Sequence, residues 1–475
     1  MLQLDPKTRA KLWKRTEELI ESYITGVSAL PVNPKLDPAE LRSRLAPFTF
    51  DKPVDAEQAL EFAARQLREF QVHTPHPRYF GLFNPNPTAM GLFADALVAG
   101  FNPQMAAWSH SPFACEAESH VIRALGRRFG YERTDGTFCA GGAEANHTAV
   151  LCALTSEFPY FGDRGARSLA AQPVFYVSTE AHHSFQKAAR MCGIGREALR
   201  EIPADGKLQM SPTALRDRIE MDRNEGLAPF LIVATAGTTN AGAVDPILEL
   251  ASIAQRERIW LHVDAAWGGA AALAPSVAHL LAGMEQADSI TFDAHKWLSV
   301  PMGAGIYLTR HMGILSRTFA TQTAYMPKEA EGLDIVDPHL HSMQWSRRFT
   351  GLKVFLSLAT AGWKGYADSI EHMIEMGSLM RAELTGNGWS LKNDTELPVV
   401  CFTDPNGGNP QEIANRLLAS QQAWCSTTLL RGKEQVLRAC VTNYNSSAED
   451  VRALVQALNS ARSGRPGPVP HPSAS

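Results

Sequence analysis

The order of apolar and polar positions divides the chain into three stretches. Residues 1–90 carry helical periodicity broken by prolines, with amphipathic stretches at 6–25 and 56–71 and no strand pattern. Helices of that kind do not enclose a large core alone, so they are expected to pack on another domain or subunit. Residues 91–364 alternate between short apolar runs and helical patterns. The runs at 173–178, 229–234, 259–264, 289–293 and 304–309 are rich in β-branched or aromatic residues. Helical patterns at 212–224 and 246–256 follow Ser211 and Asp245, two N-cap residues with proline at the next position. That alternation predicts an α/β domain: a mostly parallel sheet with helices on both faces.

Residues 365–462 predict a smaller α+β domain. Helices are expected at 366–385 and 410–421, and strands at 397–402, 424–430 and 436–443. A last helix starts near Ser446 and Ser447, with Glu449 and Asp450 supplying capping-box chemistry. The Pro/Gly/Ser-rich stretch 463–475 is expected to be a disordered tail.

Composition narrows the functional classes. The 475 residues have a net charge of −4, which gives no broad attraction to nucleic acid or anionic lipid. No run of 18 apolar residues suggests a membrane span, and residues 1–14 read as a charged helix, not a signal peptide. The seven cysteines are scattered, with no CxxC pair; they read as reduced, mostly buried thiols of a cytoplasmic protein.

In open α/β sheets ligands sit beyond the C-terminal ends of the strands, and five such ends carry chemistry. Lys296, in Asp293-Ala-His-Lys-Trp297, is a lysine that partial desolvation makes nucleophilic toward carbonyls. Asp264, in His262-Val-Asp-Ala-Ala-Trp267, is an acid that needs a cationic or donor partner, which a protonated pyridine nitrogen supplies. The small residues of 136–146 open a helix near Ala143 and offer backbone N–H groups to an anion. His182, in Glu180-Ala-His-His-Ser184, suits stacking on a flat ring, and the hydroxyls of 234–240 suit donation to a ring oxygen or a carboxylate. Taken singly these segments also read as a loop lysine, a helix cap, a glycine turn and a polar turn. Adjacent histidines lack metal-ligand spacing, so no metal is expected. Together they supply the parts that hold pyridoxal phosphate in a fold-type-I, aminotransferase-like site.

The segments Gly-Gly-Ala-Glu-Ala-Asn (141–146), Ala-His-His-Ser (181–184), Gly-Thr-Thr-Asn (237–240), His-Val-Asp-Ala-Ala (262–266) and His-Lys-Trp (295–297) stand in the order of a known family's motifs. The chain resembles the group II pyridoxal-phosphate-dependent amino acid decarboxylases, which include aromatic-L-amino-acid and glutamate decarboxylases. The likeness extends to His76-Pro-Arg-Tyr-Phe80, to 108–118 and to Trp345-Ser-Arg-Arg-Phe349, and covers roughly 75–460. It implies a Schiff base on Lys296, pairing of Asp264 with the pyridine nitrogen, and His182 and Ala266 on the two ring faces. It further implies that Gly142, Ala143 and His295 hold the phosphate, with Thr239 near the ring hydroxyl and the substrate carboxylate. Two positions depart from the family. Relatives commonly have Asn two or three residues before the lysine, where this chain has Asp293-Ala294, and many have Ser at the position of Ala143. An acid beside a phosphate repels it, so Asp293 is expected to point away or to bond a backbone amide.

The resemblance also aligns Tyr325 with the family's catalytic-loop tyrosine, the expected proton donor to Cα. A phenylalanine there is associated with aldehyde formation, a tyrosine with simple decarboxylation. The polar stretch 321–337 reads as a lid that excludes water. Leu82, Phe83, Phe101 and Trp108 are candidate substrate contacts, pointing to an aromatic or large hydrophobic L-amino acid; Arg78 is the candidate partner for an acidic one. Glutamate-like or branched aliphatic substrates, an aldehyde synthase, an aminotransferase, a carbon–carbon lyase and a catalytically dead binding relative are the alternatives. By analogy with fold type I, the assembly expected is a homodimer with the active site at the subunit interface.

Overall fold

The computed structural model describes residues 2–34, 37–83, 86–321 and 332–464. The chain opens with α1 (Pro6–Gly26), α2 (Pro38–Leu45) and α3 (Ala56–Glu69). Asp5, Asp37 and Asp55 cap their first N–H groups. None of the three has a buried residue, in keeping with the absence of a core of their own. Where α1 meets α3, exposed charges meet: Lys11 bonds Glu57 at 2.5 Å, and Arg15 bonds Glu61.

After α4 (Ala89–Phe101) and α5 (Pro112–Arg128) come seven strands: β1 (Asp135–Cys139), β2 (Pro173–Ser178), β3 (Leu199–Ile202), β4 (Ala228–Thr235), β5 (Trp260–Asp264), β6 (Ser289–Asp293) and β7 (Gly305–Thr309). They form one sheet in the order β1-β7-β6-β5-β4-β2-β3. β7 runs antiparallel to both neighbours, and the other pairings are parallel. The predicted runs match five of these strands to within two residues at each end. They read as continuous apolar runs because both faces are covered. On β4, Ile232 and Ala234 join one core cluster while Leu231 and Val233 join the cluster on the opposite face.

One expected cap does not form. The helix Ile247–Glu257 has no side-chain cap, and Asp245 instead accepts from the backbone N–H of Met210 and Thr235. Those bonds fasten two loops where no water reaches, and burial raises its carboxyl to about 7.

A long helix, Gly351–Gly386, broken at Gly362 (φ 65°), leads from the large sheet to the small one. β8 (Ser390–Leu391), β9 (Val399–Thr403), β10 (Ser426–Leu430) and β11 (Glu434–Cys440) make an antiparallel sheet in the order β10-β11-β9-β8. The final helix, Ala448–Ser463, begins with the expected capping box, formed by Ser447 and Asp450. The two motif stretches 108–118 and 345–349 meet in a buried ion pair: Arg347 donates to both oxygens of Glu118, at 3.0 and 2.5 Å. All seven cysteines are free thiols, and six are buried.

Candidate active site

β1, β2, β4, β5 and β6 all end at one edge of the sheet, and the five predicted segments meet there. Gly142, Ala143, His182, Thr239, Asp264, Ala266 and Lys296 line a common cavity, joined by Asn146, Thr235, Gly237, Trp267 and Asp293. Every residue expected to hold the cofactor therefore lies on this cavity except His295, which stands behind it.

Asp264 ends β5 and is 5% exposed. Its Oδ2 accepts from Asn146 Nδ2 at 2.8 Å and its Oδ1 from the Ala266 N–H at 3.2 Å. Both donors are neutral, and no cation pairs with this buried carboxylate among the described residues. Asn146 is itself oriented from behind. Its Oδ1 lies 3.2 Å from His262 Nε2, and His262 Nδ1 lies 2.9 Å from Ser289 Oγ. Burial lowers His262 to about 4, so the ring is neutral, takes the serine proton on Nδ1 and donates from Nε2. That tautomer turns the amide nitrogen of Asn146 toward Asp264. Asn146 and His262 lie inside the motifs read from the sequence, yet no role was assigned to them. The usable signal was period two: His262 and Asp264 share one face of β5.

The anion cradle is the first turn of α6 (Gly142–Glu157). There the N–H groups of Gly142 and Ala143 have no helical acceptor, and the helix dipole adds positive potential. His295 Nδ1 accepts from the Ala304 N–H at 3.0 Å, which leaves Nε2–H as the donor of the neutral ring. Burial lowers the affinity of His295 for a second proton, and Asp293 partly opposes that. Asp293 corrects the expectation that it turns away or bonds a backbone amide. Its Oδ2 lies 3.0 Å from Lys296 Nζ, and a β-carbon on Gly142 would stand 2.8 Å from the same oxygen. Asp293 therefore faces the cradle and pairs with the lysine.

His182, in the loop after β2, lines the cavity, with Nδ1 accepting from the Ser184 N–H at 3.2 Å. Its proton affinity is lowered first by burial, against the pull of Asp264. Phe83 is buried and stacks on Trp267, with ring centroids 4.4 Å apart. Leu82, Phe101 and Trp108 are not brought to the cavity of their own chain. Leu82 and Phe101 are 49% and 85% exposed, and Trp108 bonds Glu116 through Nε1. Arg78 bonds Asp450 through Nε at 3.1 Å and is not among the residues that line the cavity. Tyr325 lies outside the described residues.

Arg438 on β11 was missed by the sequence reading. It is 2% exposed, donates Nε to the Thr239 carbonyl and Nη1 to the Gly81 carbonyl, and sits 4.9 Å from the Phe83 ring centre. Its Nη2 is buried without a partner, and no carboxylate pairs with it, among the described residues. A lone arginine inside the apolar run Val436-Leu-Arg-Ala-Cys440 was the available signal.

These residues fit pyridoxal phosphate. The lysine would supply the amine, α6 the anion site, and the buried Asp264, with no cation paired to it among the described residues, the counter-charge for a protonated ring nitrogen. The model of the pyridoxal-dependent decarboxylase conserved domain matches residues 38–404. Over 473 residues the chain is 30% identical to an aromatic-L-amino-acid decarboxylase of Bacillus atrophaeus, covering 96% of each chain. It is 33% identical to a tyrosine decarboxylase of Oryza sativa subsp. japonica, across 84% of this chain and 77% of that one. The crystal structure of mouse CSAD superposes with a TM-score of 0.90 at 26% identity, across 97% of this chain and 99% of that one. Motif order, cavity and matched domain agree, and the chain belongs to the pyridoxal-dependent decarboxylases, as a fold-type-I carboxy-lyase that uses pyridoxal phosphate.

Proposed function

We propose that this enzyme decarboxylates an aromatic or large hydrophobic L-amino acid to the amine and carbon dioxide. The observation that carries this reading is the pairing of a buried, acid-free guanidinium with an aromatic wall. Arg438 keeps one buried donor without a partner among the described residues, next to Thr239 of the cavity, and Phe83 stacked on the cavity's Trp267 adds an apolar surface beside it. The one basic residue considered for a distal carboxylate, Arg78, bonds Asp450 and is not among the residues that line the cavity.

Bound pyridoxal phosphate supplies the electron sink for the pair left when carbon dioxide departs. Asp264 would hold positive charge at the ring nitrogen, and the Ser289–His262–Asn146 chain keeps that carboxylate aimed. His182 and Ala266 line the cavity and would pack against the ring of the cofactor, with Thr239 beside Arg438. Lys296 would hold the cofactor through its side-chain amine. Tyr325 would deliver the proton from its phenol to Cα.

Incubation with a panel of L-amino acids, with the products identified by mass spectrometry, is expected to yield one amine per carbon dioxide, fastest from aromatic substrates. Preference for an acidic amino acid would overturn the substrate assignment. Tyr325→Phe is expected to keep cofactor absorbance and lose amine formation; an unchanged amine yield refutes the tyrosine's role.

The assembly proposed is a homodimer with the site near the interface. Leu82, Phe93, Leu97 and Phe101 are 47–85% exposed on one short stretch around α4, and α1 to α3 bury nothing within one chain. Light scattering is expected to report a dimer, and a fully active monomer would refute it.

A further inference from the structure

Asp293 stands where a phosphate site has least use for a carboxylate. Its side chain is 2% exposed, with Oδ2 3.0 Å from Lys296 Nζ and 3.8 Å from His295 Nε2. Its Oδ1 is buried and has no hydrogen-bond partner among the described residues. The same oxygen that meets the lysine lies 2.8 Å from the position of a β-carbon on Gly142, in the first turn of α6. The helix N-terminus, His295 Nε2–H and the Lys296 ammonium all attract an anion there, and Asp293 is the carboxylate set against the cradle itself, 2.8 Å from the Gly142 β-carbon position. Two negative charges side by side in a water-poor site are costly, and such a pair commonly keeps a proton.

We propose that Asp293 is the proton-holding residue of the phosphate cradle: it pairs with the Lys296 ammonium before the cofactor enters, and becomes the neutral acid once the phosphate is seated. The nearest proton is on Lys296 Nζ. Its transfer converts ammonium and carboxylate into amine and carboxylic acid with no change in net charge. The repulsion is removed, and the lysine is left with the lone pair that attack on an aldehyde requires. The proton lands on Oδ2, the oxygen that faces both the lysine and the cradle, and from there a protonated carboxyl can donate to the anion instead of repelling it.

The other titratable groups around Asp293 are His295 on the same loop, His182 after β2, Cys139 at the end of β1, Asp264 across the cavity and Glu144 in α6. Burial holds both imidazoles low and the thiol high. Glu144 is occupied by the Ala140 N–H and by Gln344. The inference is independent of which amino acid is the substrate.

The test compares Lys296→Ala with Lys296→Ala/Asp293→Asn, using pyridoxal 5′-phosphate as the probe. Without the lysine, Asp293 must draw its proton from solvent, and the cofactor binds without a covalent bond. Calorimetry at pH 8 in buffers of different ionisation enthalpy counts the protons taken up. The single variant is expected to take up about one proton more than the double variant, and to lose up to about tenfold more affinity per pH unit above neutrality. The double variant is expected to bind more tightly. Equal proton counts, or looser binding by the double variant, would overturn the proposal. Asp293→Ser in the same background repeats the comparison if the asparagine variant misfolds.

Discussion

Replacing Lys296 by alanine is expected to leave a folded protein that binds pyridoxal phosphate only reversibly and makes almost no amine. The lysine side chain is partly exposed to the cavity, but its loss leaves the buried Asp293 carboxylate without its cation, so the cofactor-free variant is expected to fold with a lowered Tm. In the function proposed above it supplies the amine that fixes the cofactor, and an amine placed beside the reacting atoms also moves protons. Groups of that kind are commonly worth about a hundredfold to ten-thousandfold in rate. A decrease of about a thousandfold in kcat is the expected size. Borohydride reduction followed by mass spectrometry checks the covalent part directly. The unaltered chain should gain the mass of the cofactor and Lys296→Ala should not; reduction-trapped cofactor on the variant would place the attachment elsewhere.

Asp264→Asn is expected to have the second largest effect, in opposite directions for the two states of the protein. In the cofactor-free protein the carboxylate is 5% exposed and has only neutral donors, so removing its charge is expected to leave thermal stability unchanged or raised. In the loaded enzyme the same change removes the counter-charge of the ring nitrogen. Breaking one partner of a buried pair costs about 3 kcal/mol or more, roughly a hundredfold or more in rate. Melting curves with and without cofactor, together with kcat, separate these effects. The rise in Tm on adding cofactor should shrink in the variant while the cofactor-free Tm does not fall. A variant with full activity would show that Asp264 acts only as the acceptor for Asn146.

The two predictions rest on residues that were legible for different reasons. Lys296 and Asp264 each follow an apolar strand, and the strands were readable because a sheet covered on both faces demands continuous apolar runs. The five cavity segments were recognised because each lies within a few residues of such a strand end. Asp245 was misread because a local cap and a long-range bond need the same residue type. Its choice of Met210 and Thr235 depends on loops that only folding brings within reach. Arg438 was missed because its partners, Gly81 and Thr239, lie far away in the chain, and one arginine in an apolar strand does not say what it faces. Leu82, Phe101 and Trp108 were grouped with Phe83 by position, yet only Phe83 stacks on a residue of its own chain's cavity.

The sequence by itself determined the local chemistry: which stretches are strands, which residues end them, and which cofactor such a set of strand ends suits. Periodicity and motif order are properties of neighbours along the chain, and they survive without the fold. The tertiary structure decided what depends on neighbours across space. It placed β7 antiparallel between β1 and β6, turned Asn146 toward Asp264 through a neutral His262, and brought Arg438 from the small sheet to Thr239. It also turned Asp293 into the phosphate cradle instead of away from it. The direction of a buried side chain is set by the packing and charge of its surroundings, and those surroundings exist only once the sheet has closed around the site.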